Sequence, residues 1–196
     1  ITETPEAAQG EFLRIKNLEE WRRQNMPHAM MNVTEFGWNS KDLGNDFPGV
    51  GEAAQAIYTI RASLLMSRYQ VNKAFIYELF DQPGVTLFNS TGLIGRNNDP
   101  VKKGFFALSK FQEQVGDKVF LKAVHEDYDP ENGMVAYLLG DKNGQPTHLV
   151  AWRPTNVNNI GNYPTDYLQR TITLPSNNMQ VQLNGQFRCL GWDNSA

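Results

Sequence analysis

The chain has 196 residues, 40% of them hydrophobic and 11% aromatic, which is enough for one sizeable domain or two small ones. Its 18 basic and 21 acidic residues give a formal net charge of −3, and the sequence contains no basic cluster. These features argue against binding to nucleic acid or to an anionic membrane surface. No apolar run approaches the about 20 residues needed to span a bilayer, so we expect no membrane partner.

The first part of the chain alternates between helical and strand-like patterns. Apolar residues at helical spacing predict helices, and short apolar runs bounded by proline, glycine or polar residues predict buried strands. In chain order we predict a helix over Pro5–Gln24, a buried strand between Pro27 and Gly37, a helix over Glu52–Tyr69, a second buried strand over Val71–Asp81 and a helix over Val101–Gln114. Asp99 and Pro100 have the pattern of an N-cap followed by proline at the first helical position. This alternation is typical of parallel α/β units.

Polar and aromatic side chains gather where the two predicted strands end. In parallel α/β folds the functional groups lie at the carboxyl ends of the strands. The residues at these ends are Glu35, Trp38, Tyr77, Glu78 and Asp81. A glutamate at the tip of an apolar strand needs an explanation, because burying a carboxylate is costly unless it is paired. Glu35 is therefore either a functional group or a member of a structural ion pair.

The second part of the chain has a different character. Short runs rich in Val, Leu and Thr alternate with turn sequences such as Asp141–Gly144 and Asn184-Gly185, which are hairpin signals. The predicted strands are Val119–Val124, Met134–Leu139, Thr147–Trp152, Thr171–Leu174, Met179–Leu183 and Phe187–Leu190. This pattern predicts a small antiparallel β-sandwich. We place the boundary near Val115–Lys118, which gives an α/β segment over 1–116 and a β-sandwich domain over 117–196.

The α/β segment resembles a known enzyme family. Thr34–Trp38 reads TEFGW, follows the WRRQNMP of Trp21–Pro27, and resembles the seventh strand of clan-A glycoside hydrolases, which are (β/α)8 TIM barrels. Tyr77–Asp81 (YELFD) resembles the eighth strand of the same barrel. Three further segments resemble the family's connection from the eighth strand into the eighth helix. They are Thr91–Ile94, Asp99–Lys103 and Phe106–Leu108. The resemblance covers about residues 10–114, and the following β-domain resembles the family's accessory domain in type and position only.

The resemblance implies a retaining glycoside hydrolase that acts on β-linked oligo- or polysaccharide. Glu35 matches the catalytic nucleophile of the family. Trp38 and Tyr77 match positions that contact sugar, although relatives often have tryptophan where this chain has Tyr77. Glu78 and Asp81 are then expected to contribute to the sugar subsite.

The second carboxyl group of the mechanism is missing from the sequence. In the family the acid/base glutamate follows an asparagine at the end of the fourth strand, and no Asn-Glu pair occurs here. Neither Glu78 nor Asp81 fills that position. We therefore expect the C-terminal portion of a barrel, inactive alone, whose partner is the missing N-terminal part in the same precursor or in another chain.

The remaining expectations concern cofactors and location. The three histidines are scattered without metal-ligand spacing, so we expect neither metal nor cofactor. The chain begins at Ile1 without a signal-like segment, which predicts a processed protein or a piece of a longer one. We expect a secreted or extracytoplasmic location.

Two alternatives stay open on the sequence. The chain could be a non-catalytic carbohydrate-binding or scaffold protein that inherited the barrel strands without the acid/base. It could also be an unrelated α/β domain in which Glu35 forms a structural ion pair. Sugar binding without hydrolysis would favour the first alternative, and a purely structural effect of replacing Glu35 would favour the second.

Overall fold

The computed structural model describes residues 3–7, 10–41, 49–84, 88–96 and 101–154 of the chain. Within these ranges the fold is mixed α/β. Its elements, in order, are α1 (Glu11–Asn25), β1 (Asn32–Phe36), α2 (Glu52–Arg68), β2 (Lys73–Ile76), α3 (Lys103–Val115), β3 (Val119–Glu126), β4 (Val135–Gly140) and β5 (Pro146–Trp152). No helix in these ranges has both the length and the apolar character needed to cross a membrane.

The predicted helix-strand-helix-strand-helix alternation is confirmed. β1 and β2 pair in parallel, with Val33 opposite Ala74 and Phe36 opposite Ile76. Parallel strands require a crossover connection, and α2 is the helix in that connection. The aromatic core between this sheet and the helices is formed by Phe12, Phe36, Trp38 and Tyr58, with Ala54, Ala62 and Met66 of α2 around them.

Two helices begin later than the sequence predicted. Thr4 to Ala7 form a turn closed by a hydrogen bond from Ala7 N to Thr4 O (3.1 Å), and Gly10 has extended backbone angles, so α1 begins only at Glu11. Its predicted end is confirmed, because α1 stops at Asn25, two residues before Pro27. α3 begins at Lys103, and the predicted cap at Asp99 and Pro100 lies outside the described residues.

The two parallel strands are not buried as predicted. Val33, Phe36 and Ile76 pack against the helices, which covers one face of the pair. Met30 remains 70% exposed and Phe75 55% exposed. The apolar runs therefore predicted the strands correctly but not their burial. Parallel sheets are normally covered on both faces, whereas the described residues cover only one face of this pair.

The second part forms an antiparallel sheet in the order β3-β4-β5. β4 is its central strand and is buried along its whole length. The Asp141–Gly144 turn joins β4 to β5, where the Asp141 carboxylate accepts hydrogen bonds from the backbone N–H groups of Asn143 and Gln145, each at 2.9 Å. The three strands predicted after residue 154 and the Asn184-Gly185 turn lie outside the described residues. The sandwich and the division at residue 116 therefore stay predictions.

The antiparallel sheet shares a core with the α/β part. Leu64 and Leu65 of α2 and Val115 at the end of α3 pack with β4 side chains. Glu6 adds a polar connection, because its buried carboxylate pairs with Arg61 of α2 and accepts a hydrogen bond from Trp152 Nε1 of β5 at 2.7 Å. The N-terminal turn, α2 and β5 are thereby joined.

Candidate functional site

Glu35 is an exposed carboxylate near the carboxyl end of β1. Its neighbour Phe36 is buried at 7% exposure against the helices. Within the described ranges, the Glu35 side chain takes part in no hydrogen bond and in none of the ion pairs. The ion-pair interpretation of Glu35 therefore has no support among the described residues. An exposed carboxylate also needs no partner, because it keeps its contact with water.

The ends of β1 and β2 are held close together. Tyr77 N donates to Phe36 O at 2.8 Å, which extends the parallel pairing by one residue beyond β2. At Gly37 a Cβ atom would lie 2.2 Å from Tyr77 O, so only glycine fits this approach. Adjacent strands lie about 4.8 Å apart, and the segment carrying Glu35 therefore meets the Tyr77-Glu78 segment at one edge of the sheet.

Tyr77 and Glu78 form a polar cluster with residues of the following loop. Both are half-buried. Gln82 Nε2 donates to Tyr77 Oη at 2.5 Å and to Glu78 Oε2 at 3.1 Å, and the ring of Phe88 meets Tyr77 edge-on with centroids 5.3 Å apart. Sequence reasoning missed Gln82 and Phe88. Only their position in the sequence could have indicated them, because both lie in the loop that directly follows the second predicted strand.

Trp38 belongs to the core, and its burial does not favour its predicted role as a sugar contact. The side chain is 1% exposed. Its ring stacks on Phe12 at 5.9 Å with an interplanar angle of 5°, and it meets Tyr58 at 5.6 Å. Its indole Nε1 donates to Glu3 O at 2.9 Å. No ring face is left for a ligand, because the aromatic residues of the helical layer occupy it.

Asp81 is also buried, and its carboxylate binds other residues of the fold. Lys102 Nζ donates to Asp81 Oδ1 at 2.6 Å and to Ser40 Oγ at 2.9 Å. The same Asp81 oxygen accepts from Gly92 N at 2.9 Å, and Asp81 is only 8% exposed. Burial lowers the pKa of Lys102, and the carboxylate of Asp81 opposes that shift. The low exposure of Asp81 and the internal bonds of its Oδ1 do not favour the predicted substrate contact.

Hydrogen bonds fix the loops after β1 and β2 to each other. Ser90 O accepts from both the backbone N and the Oγ of Ser40, each at 2.9 Å. Gln55 of α2 donates through Nε2 to Trp38 O at 2.9 Å and to Thr91 O at 3.0 Å. Glu35 and the Tyr77-Glu78 cluster are thus carried by strands whose following loops are tied together and to α2.

The site can supply carboxylate and aromatic chemistry. An exposed carboxylate such as Glu35 can accept hydrogen bonds, attack an electrophile or stabilise a positive charge. The rings of Tyr77 and Phe88 offer apolar surface beside it. Among the described residues, no group of three or more His, Cys, Asp or Glu side chains is arranged to hold a metal ion.

Comparison with known proteins gives a structural similarity but no sequence match. No protein-family model matches the chain, and no curated protein matches it. A solved structure of a family 39 glycoside hydrolase from the gut symbiont Bacteroides cellulosilyticus matches with a TM-score of 0.56 over 71% of this chain, at 20% sequence identity. This chain shares a fold with part of a glycoside hydrolase. The match spans 27% of that enzyme, so the chain corresponds to about a quarter of its length.

Proposed function

We propose that this chain is the C-terminal portion of a retaining glycoside hydrolase acting on β-linked oligo- or polysaccharide, with Glu35 as its nucleophile. The observation that carries the proposal is an exposed carboxylate, unpaired among the described residues, at the carboxyl end of a parallel strand and beside the Tyr77-Glu78 cluster. The fold shared with part of a family 39 glycoside hydrolase supports it.

The proposed chemistry uses two carboxyl groups. The ionised Glu35 attacks the anomeric carbon, the bond to the leaving oxygen breaks, and a glycosyl-enzyme forms. A second carboxylic acid gives its proton to the leaving oxygen and then removes a proton from the water that hydrolyses the intermediate. In retaining enzymes the two groups lie about 5 to 5.5 Å apart. We assign the second group to the rest of the barrel.

The open side of the sheet supports this assignment. In the described ranges β1 pairs only with β2, which leaves an edge free on each strand. Large apolar side chains lie exposed along this region: Met30 (70%), Phe75 (55%), Leu79 (51%) and Phe80 (56%). Free strand edges and several large exposed apolar side chains are features that proteins normally cover. We propose that the N-terminal part of the barrel, in the same precursor or a second chain, covers them, and that the enzyme works outside the cytoplasm.

Replacement of Glu35 in the intact protein tests the proposal. We expect Glu35→Gln to lower kcat on β-linked substrates by at least about 10³-fold while leaving the thermal midpoint unchanged, because the exposed amide is isosteric but cannot attack. The control is Glu20→Gln, which changes an exposed glutamate of α1. It should leave kcat within about twofold of the value for the unsubstituted protein. A 2-deoxy-2-fluoroglycoside should become attached to the peptide containing Glu35. Near-normal turnover by Glu35→Gln would exclude the assignment.

A non-catalytic carbohydrate-binding protein is the second possibility. It predicts sugar binding without hydrolysis by the intact, unsubstituted protein. The same experiment separates the two, because the glycosidase proposal requires turnover that Glu35→Gln abolishes.

A further inference from the structure

The Glu78 carboxylate has hydrogen-bonding capacity that the described residues do not use. An ionised carboxylate offers about four acceptor positions. Oε2 accepts from Gln82 Nε2 at 3.1 Å. Thr91 Oγ1 lies 3.3 Å from Oε1, but its single hydroxyl proton has a closer acceptor in Phe88 O at 2.8 Å. A half-buried carboxylate with free acceptor positions favours a ligand that brings hydroxyl donors.

The carboxylates at this end of the sheet are not neutralised by ion pairs among the described residues. Glu35 and Glu78 both lie there, and none of the ion pairs formed by the described residues includes either carboxylate. Two lysines in the described part of the chain lie nearby. Lys102 is buried and donates to Asp81. Lys41 is exposed in the loop after β1, and its backbone N–H donates to Ser90 Oγ at 3.1 Å. Like charges repel strongly where water is partly excluded, so an anionic group on a ligand beside Glu78 would be disfavoured.

Aromatic side chains complete the surface next to Glu78. Phe88 is 44% exposed and meets the ring of Tyr77 edge-on, with an interplanar angle of 74°. Gln82 holds Tyr77 Oη and the Glu78 carboxylate at fixed positions through one amide nitrogen. Apolar ring faces beside oriented polar groups suit a pyranose, which has C–H faces and hydroxyl edges.

We propose that Tyr77, Glu78, Gln82 and Phe88 form a subsite for an uncharged sugar unit, and that Glu78 determines specificity by excluding uronic acids and sulfated sugars. The Glu78 carboxylate accepts hydrogen bonds from sugar hydroxyls, and Gln82 orients it. This inference rests on the proposed glycosidase function and adds the charge class of the substrate.

Binding measurements in the intact protein carrying Glu35→Gln test the subsite without hydrolysis. The probes are β-linked glucose, mannose and galactose trisaccharides and the same trisaccharides oxidised at C6 to uronates, measured by titration calorimetry. We expect at least one neutral trisaccharide to bind about tenfold or more tightly than its uronate. Glu78→Gln should bring the two affinities within about threefold of each other, because the amide no longer repels the uronate. Glu20→Gln serves as the matched control and should leave the preference unchanged.

A second variant keeps the test decisive if Glu78→Gln fails to fold. Gln82→Lys places a cation beside Glu78 and should raise the affinity for the uronate relative to the neutral sugar. Equal binding of both probes by the parent protein, an unchanged preference in Glu78→Gln, or no binding of any trisaccharide would overturn the subsite. If Glu35→Gln abolishes hydrolysis but the uronate binds as well as the neutral sugar, only this inference fails. If Glu35→Gln keeps its turnover, the proposed function fails instead.

Discussion

Trp152 Nε1 donates a hydrogen bond to the Glu6 carboxylate at 2.7 Å, although 146 positions separate the two residues. Glu6 also pairs with Arg61, and the side chains of that pair are 1% and 4% exposed. One buried carboxylate thus joins the N-terminal turn to the central helix and to β5. A sequence pattern cannot reveal such a contact, because its members share no periodicity.

Removing this carboxylate should destabilise the whole described fold. Glu6→Ala removes the buried carboxylate that pairs with Arg61 and accepts from Trp152, so we expect the free energy of unfolding to fall by about 3–5 kcal/mol. Urea unfolding monitored by circular dichroism measures this loss. Glu113→Gln breaks an exposed pair with Lys110 and should change stability by less than about 1 kcal/mol. Equal effects of the two substitutions would show that the Glu6 cluster is not important for stability.

Trp38 should act on stability and not on substrate binding. Trp38→Ala removes a fully buried ring stacked on Phe12, and we expect a loss of about 3–5 kcal/mol. Trp38→Phe keeps part of the stacking but loses the hydrogen bond to Glu3 O, so its cost should be smaller. Denaturant unfolding and KM values for the folded variants check this. An altered KM at unchanged stability would restore the sugar-contact role.

Asp81 and Lys102 should behave as one energetic unit. Each single change, Asp81→Asn or Lys102→Met, leaves the other buried group without its charged partner, at a cost of about 3–5 kcal/mol. The double variant removes both charges, so its cost should be below the sum of the single costs by at least about 1 kcal/mol. A double-mutant cycle in urea measures this coupling. Additive costs would mean that the 2.6 Å contact contributes little.

Glu126 should make stability depend on pH in the acid range. Burial acts to raise its pKa, but hydrogen bonds from Arg68, Tyr128 and Tyr137 outweigh burial and hold the pKa below its ordinary value of 4.5. Because the folded pKa is the lower one, the stabilisation is fully present above pH 4.5 and is lost as the pH falls through the folded pKa. Glu126→Gln should therefore lower stability near pH 7 and flatten its decline below pH 4.5.

Urea midpoints measured at a series of pH values provide this test. Glu20→Gln is the control, since it removes an exposed carboxylate that lies outside the cluster. A pH profile of Glu126→Gln with the same slope as the parent protein would contradict the assignment.

Secondary structure in the described ranges followed closely from local sequence. The helix predicted over Glu52–Tyr69 is α2, Glu52–Arg68, because its broad apolar face and the absence of proline or glycine within it are local properties. The strands β3, β4 and β5 and the Asp141–Gly144 turn also lie where runs of β-forming residues and turn residues predicted them. Helix starts were less accurate, since the turn before α1 depends on backbone contacts.

The sequence predicted the positions of the candidate site residues but not which of them are buried. Sequence placed all five candidate residues at strand ends, and the structure keeps Glu35, Tyr77 and Glu78 accessible there while Trp38 and Asp81 are enclosed. Motif and position cannot distinguish an aromatic ring that faces a ligand from one that fills a core. That difference depends on which residues from distant elements arrive to cover the side chain, as Phe12 and Tyr58 do for Trp38.

By itself, the sequence determined the alternating α/β order, the later change to antiparallel strands and the position of a carboxylate at the end of β1. These features depend on periodicity, turn residues and spacing, which are local along the chain. Only the tertiary structure decided that Glu35 has no described partner, that Lys102 binds Asp81, and that Gln82 and Phe88 join Tyr77 and Glu78. Those facts depend on the close approach of loops far apart in sequence, and burial and pairing are properties of that approach.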